Sequence, residues 1–185
     1  MKTVGVAGCQ PHIGTTTQAL QLVLCLIEHK YSVAYVEMGD RDYLSKLQEI
    51  YEDITADKSK VLYCRNIPMY TGKQIILANQ RHYDYTVKDY GCINSPGFET
   101  ISFLEQDIKV VVGGTKANEI EHVEKILEES CYADVNYIFS FVPLPEQRDI
   151  KELMRERKEN TYFAVYTPDP FVYQENDIYL YLLGE

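Results

Sequence analysis

The chain has 185 residues, 45% hydrophobic and 25% charged, enough for a single α/β domain over residues 1–185 and too short for two ordinary ones. No apolar run reaches the roughly 18–20 residues of a membrane span, and no signal peptide precedes the first strand pattern. A formal net charge of −10 argues against bulk binding to nucleic acid or to an anionic membrane, and five singly scattered cysteines without a CxxC fit free thiols in a reducing cytoplasm.

Short runs rich in Val, Ile and Tyr alternate with helical patterns. Thr3–Ala7 reads as the first strand, and Thr15–Lys30 as the first helix, with Ala19, Leu22, Val23, Leu26 and Ile27 as its apolar stripe. Ser32–Glu37 is the next strand and Tyr43–Tyr51 the next helix. Val61–Cys64, Tyr85–Lys88, Ile108–Val112, Val135–Phe141 and Tyr162–Tyr166 are further strands. Between and after them, Lys73–Gln80, Phe98–Glu105, Asn118–Glu129 and Glu146–Lys158 read as helices. Strands as continuously apolar as Val110-Val111-Val112 need cover on both faces. The order therefore predicts an α/β fold: a doubly wound, mostly parallel sheet flanked by helices on both faces, as in P-loop NTPases.

Ligands of such sheets bind at the carboxyl ends of strands, often at the first strand–helix turn. That turn reads Gly8-Cys9-Gln10-Pro11-His12-Ile13-Gly14-Thr15-Thr16-Thr17. Against the phosphate-loop pattern G-x-x-x-x-G-K-[S/T], Gly14 and Thr16 fit the second glycine and the hydroxyl. Cys9 stands at the first glycine and Thr15 at the lysine. The nucleotide-binding set on this reading is Gln10, His12, Ile13, Gly14, Thr15, Thr16 and Thr17, with Thr16 and Asp89 as the Mg²⁺ pair. A plain turn with hydroxyls capping the helix is the competing reading.

At this loop the chain resembles the ParA/MinD-type deviant-Walker ATPases, whose loop reads K-G-G-V-G-K-T-T; Ile13–Thr17 lies over its V-G-K-T-T. Ala34–Asp40 resembles the family's second-strand motif h-h-h-D-x-D. Tyr83–Gly91 resembles the third motif, with Asp89 at the metal-linked acid. Thr167-Pro168-Asp169-Pro170 resembles the segment after the last strand. The resemblance implies ATP and Mg²⁺ as cofactors, a homodimer, and a protein partner in a cellular or mobile-element machine.

The departures fall on the chemistry. Gln10 and Thr15 stand at the two lysine positions, and Pro11 and His12 at two glycines. Proline removes an N–H, and His resists the positive φ that glycine allows. Glu37 replaces the first acid of the second motif, Gly39 the acid that orients water, with Asp40 one residue late, and Ser140 the asparagine of the base site. Each lost cation or donor at a phosphoryl-transfer site weakens the transition state by roughly 3–4 kcal/mol on the scale of a lost oxyanion donor. The expectation is a non-hydrolysing pseudo-ATPase acting as a binding or positioning module, with nucleotide optional. The alternative is a nucleotide-dependent switch or slow ATPase that takes its cations from Arg41, Lys88 or a partner chain. A dinucleotide site built on Glu37 is disfavoured, because G-x-G-x-x-G is absent. The charges of Arg148–Lys158 alternate in sign, as on a solvated helix, and the C-terminal Asp177–Glu185 has no basic residue to make an interfacial helix.

Overall fold

The computed structural model describes residues 1–184. Nine strands lie among them: β1 (Lys2–Gly8), β2 (Val33–Glu37), β3 (Thr55–Ala56), β4 (Leu62–Cys64), β5 (Ile67–Thr71), β6 (Tyr85–Cys92), β7 (Ile108–Gly113), β8 (Asn136–Ser140) and β9 (Thr161–Ala164). The helices are α1 (Thr15–Glu28), α2 (Tyr43–Ile50), α3 (Ile75–Gln80), α4 (Thr100–Leu104), α5 (Ala117–Glu128), α6 (Leu144–Leu153) and α7 (Ile178–Leu183). All strands join one sheet in the order β3-β4-β5-β2-β6-β1-β7-β8-β9.

From β5 to β9 every pairing is parallel, and β1 lies between β6 and β7. Alternation along the strands sends Val4, Val6, Val87, Val110 and Val112 to the face covered by α1, α2 and α7. Ala7, Ala34, Val36 and Val111 face α3, α4 and α5 on the other side. The chain crosses to β2 on one side of β1 and reaches β7 on the other, so the loop after β1 opens at the switch point of the sheet.

The expected doubly wound sheet is present, with one edge different. The strand expected at 61–64 is β4, and it lies outside the parallel core: it sits between β3 at the edge and β5, pairing antiparallel with both, with β5 through Leu62↔Met69 and Cys64↔Ile67. The hairpin turns on Arg65 (φ 47°) and Asn66 (φ 68°), two left-handed residues as a tight primed turn requires. Beyond it β5 joins β2 in parallel despite Pro68. The last long helix also ends early. Arg155 adopts φ 51° after α6, and residues 155–160 continue as a 3-10 turn.

α1 is covered on more sides than its apolar stripe implies. Gln18 and Gln21 are buried, and a buried amide is tolerated only when hydrogen-bonded. Gln21 Nε2 donates to the carbonyls of Pro170 (3.0 Å) and Val172 (2.9 Å), and its Oε1 accepts from Gln174 N (2.9 Å). Gln18 Oε1 accepts from the Tyr179 hydroxyl at 2.7 Å, and Gln18 Nε2 donates to Ser140 Oγ at 3.1 Å. Two helix residues thus dock the C-terminal segment, and α7 buries Tyr179, Leu182 and Leu183 against the domain. No helix among the described residues is long and apolar enough to cross a membrane.

Candidate phosphate-loop site

The loop leaves β1 through a break in register between Val6 and Gly8. Its base is tied to both neighbouring strands. Cys9 N donates to Val112 O (2.9 Å), Ile93 N to Gly8 O (3.0 Å) and Asn94 Nδ2 to Cys9 O (3.0 Å). Gly8 is sterically required: a Cβ there would lie 2.2 Å from Thr15 Oγ1 and 2.7 Å from Ile13 Cγ2. Gln10, His12, Gly14, Thr15, Thr16 and Thr17 line a cleft of about 750 Å³. Ile13 is not among its walls and packs instead against the core on both faces of the sheet.

His12 adopts φ 61°, at a cost of about 1–2 kcal/mol for an L-residue. Gly14 (φ 95°) caps α1, and among the described residues no side-chain cap bond is made to the helix start. The expectation that threonine hydroxyls cap this helix is therefore not met. The first-turn N–H groups, which have no partner within the helix, are left to the cleft.

The Thr16 hydroxyl turns to Asp89 instead. Asp89 is fully buried. Its Oδ2 accepts from Thr16 Oγ1 at 2.6 Å and from the Tyr35 hydroxyl at 2.8 Å. Its Oδ1 accepts from Gly91 N at 3.0 Å and pairs with Arg41 Nη2 at 2.9 Å. The same Nη2 donates to the Asp89 carbonyl at 2.7 Å. Parallel pairing makes this cluster, since the register sets Glu37 beside Asp89 and Tyr35 beside Val87. Burial and the neighbouring Asp89 carboxylate push the Tyr35 phenol well above its usual range. For Arg41 burial is the largest influence and works against the charge, but Asp89, Tyr35 and Glu37 together outweigh it, and the guanidinium is held more firmly protonated than usual.

The sequence brings Thr16 and Asp89 together as a Mg²⁺ pair would require, but this arrangement does not fit a bound metal. A carboxylate offers about four acceptor positions, and here all four are used by protein donors, one of them a cation.

Glu37 is buried and serves α2, accepting from Tyr43 N (2.8 Å) and Leu44 N (3.2 Å). Burial raises its carboxyl pKa, an effect those two amides oppose. Asp40 is 96% exposed at its side chain, with a 3.9 Å ion pair to Lys73. Of the two alternative cations, Arg41 reaches the cleft. Lys88 lines a second cleft of about 520 Å³, which Arg41 also borders. Burial lowers its ammonium pKa. Ser140 meets Gln18, and Arg148 pairs with Glu152 at 3.2 Å on the exposed face of α6. Sequence reading missed Tyr35 and Gly91. The available signals were a tyrosine inside a buried strand, whose hydroxyl needs a partner, and a glycine two residues after a motif acid.

No family model and no curated protein sequence matches this chain. Solved structures do. MinD, a cell division protein of Aquifex aeolicus, superposes with a TM-score of 0.62 at 14% identity, over 91% of this chain and 84% of that one. This chain has the ParA/MinD-type fold. A putative plasmid partition protein of Borrelia burgdorferi bound to AMPPNP gives a TM-score of 0.62 at 12% identity, over 99% and 96% of the two chains. A nucleotide-binding protein of Archaeoglobus fulgidus in complex with ADP gives 0.56 at 12% identity, over 98% and 84%. Thr15 stands at the first position of α1 in this fold.

Proposed function

We propose that this chain is a non-hydrolysing ParA/MinD-like module that binds and positions other proteins. It assembles as a homodimer and with a protein partner, and nucleotide is optional. One observation carries this reading: around the loop the acceptors of Asp89 are occupied by Thr16, Tyr35, Gly91 and Arg41, while Gln10 and Thr15 replace the lysines. Phosphoryl transfer depends on metal and cationic stabilisation of developing charge. Assembly is supported by an apolar rim at the carboxyl ends of β8 and β9, where Phe141, Leu144, Val165 and Tyr166 are exposed. Among relatives in fold, one solved structure is a MinC:MinD cell division protein complex.

The second reading, a nucleotide-dependent switch or slow ATPase, is favoured by the open cleft over the first turn of α1. Calorimetric titration with Mg·ATP beside light-scattering mass measurement separates the two. The module reading expects the same mass with and without nucleotide. A monomer that dimerises only on adding Mg·ATP would support the switch and sink the module reading.

A further inference from the structure

Arg41 makes contacts that a mobile surface arginine does not. Its Nη2 is shared between the Asp89 carboxylate (2.9 Å) and the Asp89 carbonyl (2.7 Å). Its Nε points at Met38 O at 3.4 Å, and its stem lies across Gly91. Gly91 has φ 73°, and a Cβ there would meet Arg41 Cδ at 3.0 Å and Nε and Nη1 at 3.3 Å each. A glycine at this point gives the guanidinium a seat beside the carboxylate. Among the described residues, Nη1 donates to nothing, so two N–H groups of the five-donor fork remain beside the cleft.

We infer that Arg41 is the resident cation of this site: it holds the place on Asp89 that a divalent metal would use, and the cleft takes a phosphate-bearing anion without metal. The phosphate part rests on the reading of the loop as a binding site; the exclusion of metal does not. Phosphate would be held by the first-turn amides of α1 and the free Nη1 edge of Arg41, one fixed positive charge standing in for a mobile one. Because the guanidinium belongs to the segment between β2 and α2, a phosphate on Nη1 would bear directly on that segment.

Two measurements on the whole chain test this. In the first, Mn²⁺ is titrated without nucleotide, and paramagnetic broadening of the Gly91 and Thr16 amide signals is followed by NMR. The wild-type chain should show no site-specific broadening at millimolar Mn²⁺, Arg41→Lys should behave alike, and Arg41→Gln should gain at least tenfold in Mn²⁺ affinity at these amides. Broadening in the wild type, or none in a folded Arg41→Gln, overturns the inference; if Arg41→Gln does not fold, the wild-type result still decides. In the second, ADP is titrated into the wild type in EDTA and in Mg²⁺. Affinities within about twofold support metal-free binding, and a tenfold or greater loss in EDTA overturns it. Absence of ADP binding in either buffer removes the phosphate part together with the reading of the loop as a nucleotide site, and leaves metal exclusion to the Mn²⁺ titration.

Discussion

The Asp89 centre and the Phe141–Tyr166 rim lie on the same carboxyl edge of the sheet and are built in opposite ways. At Asp89 a buried charge has each acceptor position matched by a donor, and the donors come from α1, β2, the β2–α2 segment and β6 itself. At the rim, Phe141 and Tyr166 are 65% and 66% exposed, their ring centroids 5.4 Å apart, and Phe141 holds φ 62°. The first region satisfies itself. The second leaves apolar surface in water and carries backbone strain of order 1–3 kcal/mol to do so. This contrast, a carboxylate satisfied by its own protein beside an exposed apolar rim, is what the proposed module reading rests on.

Substitutions should separate the two regions. The largest effect is expected from Arg41→Ala, which leaves a buried carboxylate short of its cation and should lower unfolding free energy by about 3–5 kcal/mol in urea melts. Next is Cys9, in the loop after β1. Burial pushes its thiol from 9.0 up to about 11. The folded chain therefore keeps a proton that the unfolded chain gives up. That stabilisation is complete below pH 9 and is lost as pH rises to about 11, amounting to about 2–3 kcal/mol. Cys9→Ala should flatten this part of the stability–pH curve relative to wild type. Gly91→Ala should cost about 1–2 kcal/mol through its left-handed backbone, and it should uncover Asp89 as Arg41→Gln does, which links its effect to the seat and not to the turn alone. Smallest in stability is Phe141→Ser, within about 0.5 kcal/mol as for exposed positions; its effect should appear in light scattering, as loss of the assembled species. Equal stability losses for Arg41→Ala and Phe141→Ser would erase the contrast between the regions.

The sheet was legible because strands buried on both faces are almost uniformly apolar, as Val110–Val112 show. β5 was hidden by Pro68, which argues against a strand until the hairpin places its missing N–H. Four further residues of β6 were hidden by Asp89, whose charge looks like a strand end and is in fact a buried junction. The loop was legible from Gly14 and Thr16. The lock on it was not: Tyr35 and Arg41 stand 54 and 48 residues before Asp89, and only the parallel register brings them to one carboxylate. Gln18 and Gln21 were unreadable for a similar reason, since the segment that buries them lies about 120–160 residues later in the chain. The left-handed His12 went against its residue type.

The most direct test is phosphate release from saturating Mg·ATP, followed for hours at several protein concentrations against a Thr16→Val control. No release above the protein-free rate is expected at any concentration. Release that rises with protein concentration and disappears in Thr16→Val would contradict a non-hydrolysing module.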